Sequence, residues 1–287
     1  MPFAWTSPCG EIRPAWEGPE RKPLAVLACV HGMSGSGDQF APLAEEIPWV
    51  KTYGIELLGQ GQDPDPLRRG ALLDVPRQLC EIEAFLDAVR ARHSGLPVFL
   101  IGESMGSLLS AAFAAHRQEH GLAGVILSVP VVALRRPVPA FATHLVRWLA
   151  RVAPSLRCPP SRFVNGKSTA PPLTRDVDYQ NSLSARPHHL RAYTFRFLSE
   201  IGDLIRDSHT HAARLDAPVL VLAAGQDCFV TVPQIEDWFR AIRSPDKTLK
   251  IYPEAYHLLW HDWDRPRVIE DLAAWMKSRL SSPTPSL

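Results

Sequence analysis

The chain has 287 residues, 46% of them hydrophobic and 21% charged, with a formal net charge of +1. That length is ample for one α/β domain with an insertion and a large core, and the composition is that of a soluble globular protein. The near-neutral balance excludes charge steering toward nucleic acid or an acidic surface.

Between Met1 and Pro23 the strand signals look short or missing, and no basic segment followed by an apolar core predicts a secretory signal. Leu24–Val30 is a continuous apolar run and predicts a strand. Asp38–Ile47 predicts a helix, Tyr53–Leu58 a strand, and Asp74–His93 a helix with Val75, Leu79, Ile82, Phe85, Leu86 and Val89 at helical spacing. Val98–Ile101 follows as a strand, Ser104–Arg117 as a helix and Val125–Val129 as a strand. After a break come strand Pro218–Ala223, helix Pro233–Ile242, strand Thr248–Tyr252 and helix Arg265–Leu280. Short apolar strands separated by helices predict a mostly parallel sheet covered on both faces, with function at the carboxyl ends of its strands. No run of about 18 apolar residues predicts a transmembrane helix. Ser281–Leu287 is Ser/Pro/Thr-rich and is expected to fray.

The break in rhythm runs from 130 to 216. It is rich in proline and mostly helical in pattern: Phe141, Leu145, Trp148, Leu149 and Val152 share one helical face, and His188–Ile205 is a second helical candidate. The stretch reads as a helical cap, inserted between core segments 1–129 and 217–287, with its apolar stripe packed against the body. Periodicity gives no strong amphipathic basic helix for docking on a lipid surface. The cysteines Cys9, Cys29, Cys80, Cys158 and Cys228 are scattered, odd in number and without a CxxC pair. They predict free thiols and a cytoplasmic protein.

The chemistry is carried by Gly102-Glu103-Ser104-Met105-Gly106, set between a strand and a helix. This is the nucleophile-elbow pattern, in which a sharp turn lifts the serine clear of the sheet and leaves room only for glycine on either side. A serine needs a base and a third group that fixes the base's tautomer. In chain order after Ser104, the candidates are Asp227, in the loop beyond a buried strand, and His257, in the loop before the last helix. Asp227 also suits a plain turn or helix cap before Val232-Pro233. The oxyanion calls for two backbone donors: the N–H of Met105, and that of Met33 in the loop His31-Gly32-Met33-Ser34-Gly35-Ser36-Gly37. A phosphate loop would need a Lys followed by Ser or Thr, which is missing. His31 is expected to brace the loop by hydrogen bonding. His257 and His261 have i,i+4 spacing but no third ligand, so no metal is expected, and His261 reads as a helix-surface residue. His188-His189 and the pair His209 and His211 read as surface residues of the cap.

At this point the chain resembles the α/β-hydrolase superfamily, and within it the monoacylglycerol lipase and lysophospholipase group of serine aminopeptidase-like hydrolases. The residues that carry the resemblance are His31-Gly32, Gly59-Gln60-Gly61-Gln62, Gly102-Glu103-Ser104-Met105-Gly106, Gly225-Gln226-Asp227, Tyr252-Pro253 leading to His257, and Leu173-Thr174-Arg175-Asp176, which looks like the segment that closes the cap. The chain departs from the group at Gln60 and Asp63, where a Gly-His-Gly-x-Ser run is common, and at Ser107, where glycine is frequent. The resemblance implies a serine hydrolase without cofactor that cleaves a monoacylglycerol, a lysophospholipid or another medium-to-long acyl ester, with a small, polar or aromatic ester left open. Transient contact with a membrane surface and the oligomeric state stay open. So do a thioesterase or acyltransferase on the same residues, and a catalytically silent ligand-binding module.

Overall fold

The computed structural model describes residues 3–117, 121–159 and 171–280. The frayed tail expected at Ser281–Leu287 lies outside the described residues, as does part of the insertion.

In chain order the elements are β1 (Phe3–Thr6), β2 (Ile12–Glu17), β3 (Ala25–Val30), α1 (Ala41–Glu46), β4 (Val50–Ile55), α2 (Val75–Arg92), β5 (Val98–Glu103), α3 (Met105–His116) and β6 (Gly124–Ser128). There follow α4 (Ala140–Val152), β7 (Arg157–Cys158), α5 (Val177–Leu183), β8 (Tyr193–Thr194), α6 (Phe195–Arg206), α7 (Ser208–Ala212), β9 (Val219–Ala224), α8 (Val232–Ala241), β10 (Lys247–Tyr252) and α9 (Arg265–Leu280). Among the described residues, eight strands form one sheet in the order β1-β2-β4-β3-β5-β6-β9-β10. Only β2 runs against the rest, pairing antiparallel with both β1 and β4.

The N-terminal strands are therefore present, contrary to expectation. Phe3 and Trp5 alternate with exposed Ala4 and Thr6, a period-two pattern too short to stand out. In β2 the signal is masked by Pro14 and by Arg13, which is fully buried, donates to Glu56 O at 2.9 Å and faces the Asp63 and Glu81 carboxylates. Strand β4 begins three residues earlier than expected, at Val50. Its polar residues Lys51 and Thr52 are buried, and the Lys51 ammonium is satisfied by Gly18 O and Glu17. Within the strand, Gly54 lets the Gly37 backbone approach closely, since a Cβ there would lie 2.5 Å from Gly37 Cα.

Alternation along β3 shows how the layers form. Val26, Ala28 and Val30 enter one core with Ile82, Phe85, Leu108, Leu109 and Trp238, which α2, α3 and α8 supply. Ala25, Leu27 and Cys29 enter the other, with Leu43, Val268, Leu272 and Met276 from α1 and α9. Burial on both faces is why these strands read as unbroken apolar runs. Helix α2 starts at Asp74, whose carboxylate accepts from Arg77 N, and α8 starts with a Thr231/Gln234 capping box. The strand order reverses between β3 and β5, so the loops at their carboxyl ends diverge and leave a crevice there.

Strands β6 and β9 are neighbours in the sheet, and the long segment that joins them is the stretch expected as a cap insertion. It contains α4 to α7 and the two-stranded β7-β8 ribbon. The helix expected over His188–Ile205 starts only at Phe195, because Tyr193 and Thr194 pair with Cys158 and Arg157. Helix α4 carries the predicted apolar stripe, but the stripe faces away from the body: Phe141 is 76%, Leu145 50%, Trp148 56% and Val152 56% exposed. On the same helix Arg147 pairs with Asp203. Among the described residues, no helix is long and apolar enough to cross a membrane.

Candidate active site

Ser104 lies between β5 and α3 with φ 56 and ψ −116, a conformation that costs a serine of order 1–3 kcal/mol. The turn is held by Ser104 N donating to Ser128 O at 2.9 Å, and by Ser107 Oγ, which lies 2.7 Å from both Gly102 O and Ser128 O and shares its one hydrogen between them. Crowding explains the two glycines. A Cβ at Gly102 would stand 2.3 Å from Gly106 O, and one at Gly106 only 2.1 Å from Val30 O. Met105 opens α3, which puts its N–H at the positive end of the helix dipole.

The loop after β3 closes over the serine. A Cβ at Gly32 would lie 3.1 Å from Ser104 Cβ and 3.7 Å from its Oγ, so Met33 follows directly on the residue that touches the elbow. His31 is fully buried, with Nδ1 donating to Gly32 O at 2.8 Å and Nε2 accepting from Leu57 N at 3.2 Å. Burial lowers its pKa to about 4, which keeps the ring neutral. It braces the loop as expected and has no nitrogen left to act as a base.

Asp227 stands just past β9 and is fully buried. Its two oxygens divide two tasks that the sequence left as alternatives. Oδ1 accepts from Phe229 N at 2.7 Å and shapes the turn, whereas Oδ2 lies 2.7 Å from His257 Nδ1. The β9 and β10 loops must touch for this contact, and Gly225 permits it, since a Cβ there would be 2.2 Å from Pro253 O. The His257 ring is clamped at its edge by Phe229, with centroids 4.6 Å apart. Burial works against the imidazolium, yet the charge and hydrogen bond of Asp227, joined by the charge of Glu103, hold the His257 pKa above the ordinary histidine value.

Three histidines depart from expectation. His261 is not on a helix surface: its Nε2 donates to Gln39 O at 2.8 Å and its ring stacks on Tyr179 at 3.9 Å. Burial lowers its pKa to about 4. His188 is buried beside Ser36 Oγ at 2.8 Å, and His211 is half-buried against the His116 ring at 5.2 Å. All five cysteines are free.

Sequence reasoning passed over several polar residues of this region. Glu103 was visible only as the variable position of the elbow. It is buried, accepts from Gln39 Nε2, and has its pKa pushed up by burial to about 7. Glu56 accepts from Gly37 N at 3.0 Å and Gln62 N at 2.8 Å and so ties the β3 and β4 loops together. No local pattern marked Glu56, because its partners come from two different loops.

Residues 21–264 match the family described as serine aminopeptidase, S33 (Hydrolase_4). The chain belongs to that family of α/β hydrolases. It is similar to phospholipase YtpA of Bacillus subtilis, at 26% identity over 263 residues, 91% of this chain and 98% of the relative. It is also similar to the monoacylglycerol lipase of Mycolicibacterium smegmatis, at 24% over 268 residues and 91% of each chain. Among solved structures, a soluble variant of the Saccharomyces cerevisiae monoglyceride lipase, in complex with a substrate analog, superposes with a TM-score of 0.82 at 19% identity, covering 99% of this chain and 96% of that one. These relatives are lipases, and the shared eight-stranded architecture is the α/β-hydrolase fold.

Proposed function

We propose that this chain is a serine carboxylic-ester hydrolase that cleaves an acyl ester, of the monoacylglycerol or lysophospholipid kind, through an acyl-enzyme. The observations that support the proposal are the buried Asp227–His257 pair, at 2.7 Å, and a serine held at positive φ at the carboxyl end of β5. His257 takes the proton of Ser104 as its hydroxyl attacks the acyl carbonyl. Asp227, bonded to Nδ1, keeps Nε2 free to receive that proton and stabilises the imidazolium. The N–H groups of Met33 and Met105 hold the tetrahedral oxyanion. His257 then gives the proton to the leaving alcohol, and water, activated by the same imidazole, releases the acid. In this scheme residues 130–216 form a cap over the crevice. The relatives' names and the exposed apolar row of α4 both favour a lipid-like acyl group over a small polar one.

Hydrolysis of p-nitrophenyl esters across acyl-chain lengths tests the reading, with Ser104→Ala as the control. The variant should lose on the order of a thousandfold or more in kcat. Wild-type turnover by that variant would overturn the assignment.

A further inference from the structure

The loop that carries Met33 is fastened from the far side by the insertion. Ser34 has φ 59, a left-handed conformation that a serine holds only when its surroundings impose it. The surroundings here are polar contacts of long sequence separation. Ser34 N donates to Gln60 Oε1 at 3.2 Å, and its hydroxyl donates to Leu190 O at 2.8 Å. With that hydrogen committed, the single hydrogen of the Tyr193 phenol is shared between Gln60 Oε1 at 3.1 Å and Ser34 Oγ at 2.8 Å. Tyr193 is fully buried, in the β7-β8 ribbon. A second tie stands two residues on, where His188 Nε2 lies 2.8 Å from Ser36 Oγ. Leu190, Tyr193 and His188 all belong to the insertion. Met33 is thus held between Gly32, which leans on Ser104, and Ser34, which hangs from Tyr193.

We propose that Tyr193, acting through Ser34 and Gln60, is a positioning residue that aims the Met33 N–H at the oxyanion. The inference rests on the esterase reading above. Its consequence is that the insertion and the oxyanion donor form one mechanical unit: any displacement of residues 188–193 slackens the donor loop. Tyr193 touches no reacting atom, so its removal acts on transition-state stabilisation and leaves the nucleophile, base and acid in place.

The test compares wild type, Tyr193→Phe, Ser34→Ala and the double variant, with thermal melts to show that each is folded. The substrates are p-nitrophenyl butyrate and its thiono analogue, whose sulfur accepts hydrogen bonds weakly. The third ligand is a short alkyl trifluoromethyl ketone, which mimics the oxyanion. For Tyr193→Phe, kcat on the oxoester should fall roughly tenfold with KM within about twofold. Affinity for the ketone should fall in parallel, and turnover of the thionoester should hardly change. The double variant should lose little beyond the worse single one, since both act on one contact. A folded Tyr193→Phe with wild-type kcat and ketone affinity overturns the proposal, as does an equal loss on both esters. Should Tyr193→Phe not fold, Ser34→Ala carries the same three readouts. A wild-type protein inert toward esters and toward a fluorophosphonate probe overturns the esterase reading itself, and this inference with it.

Discussion

Electrostatic tension in the crevice gathers at Glu103, the residue before Ser104. Burial raises its pKa to about 7, while its charge helps to raise that of His257; Tyr179 and Cys29 also face it. Between the ordinary value of 4.5 and about 7 the folded chain holds a proton here that the unfolded chain has released. The linked stability is therefore complete below the ordinary carboxyl value and is lost as the pH rises through the raised one. In Glu103→Gln that loss disappears, so the melting temperature should exceed wild type at alkaline pH and match it more closely at acidic pH. The same change removes a negative charge that favours the imidazolium. The acid limb of the kcat/KM profile, measured on a soluble p-nitrophenyl ester, should consequently move to lower pH. An unmoved limb would mean that Asp227 alone sets the protonation of His257.

At the scale of elements, α4 and α8 make a contrast. Both have apolar residues at helical spacing. In α8, Trp238 is fully buried and its Nε1 donates to Ser208 O at 3.0 Å. In α4 no residue is buried, and the row Phe141, Leu145, Trp148, Val152 meets solvent. Urea denaturation should separate them. Trp238→Ala should cost about 3–5 kcal/mol. The pair Leu145→Ser and Trp148→Ser should each stay within about 0.5 kcal/mol of wild type. The period of a sequence tells which residues share a face, and it says nothing of what covers that face. That is why α4 was legible as a helix and its orientation was not. The elements of the parallel sheet were legible to within a few residues for a related reason: burial on both faces leaves an apolar run that needs no knowledge of neighbours. Strands that break this rule, with Arg13 or Lys51 inside them, were missed or displaced.

Over the whole molecule, the segment between β6 and β9 meets the rest of the chain at the Tyr193 contacts and, at the other end, beside His257. Leu258 N donates to Leu173 O at 2.8 Å, one residue past His257. The Arg175 guanidinium pairs with Asp262 and lies 2.7 Å from Asp264. Asp262 has a fully buried side chain and also accepts from Arg175 N at 3.0 Å and Trp263 N at 2.7 Å. Because these backbone donors remain, Arg175→Ala should cost about 1–3 kcal/mol in a urea melt and not more. It should also lower kcat, since the loop it steadies holds His257; an unchanged kcat would separate this tie from the chemistry.

The order of strands and helices, the elbow at Ser104, and the loops that hold Asp227 and His257 could be read from the chain because each answers a local demand. A turn with no room for Cβ requires Gly102 and Gly106, and a buried strand requires an apolar run. The N-terminal hairpin, the outward face of α4, the burial of His188 and His261, and the Ser34–Tyr193 contact belong to the folded molecule alone. Ser34 and Tyr193 are 159 residues apart. Neither carries a pattern that names the other, and only the closing of the sheet and the return of the insertion bring them within hydrogen-bonding reach.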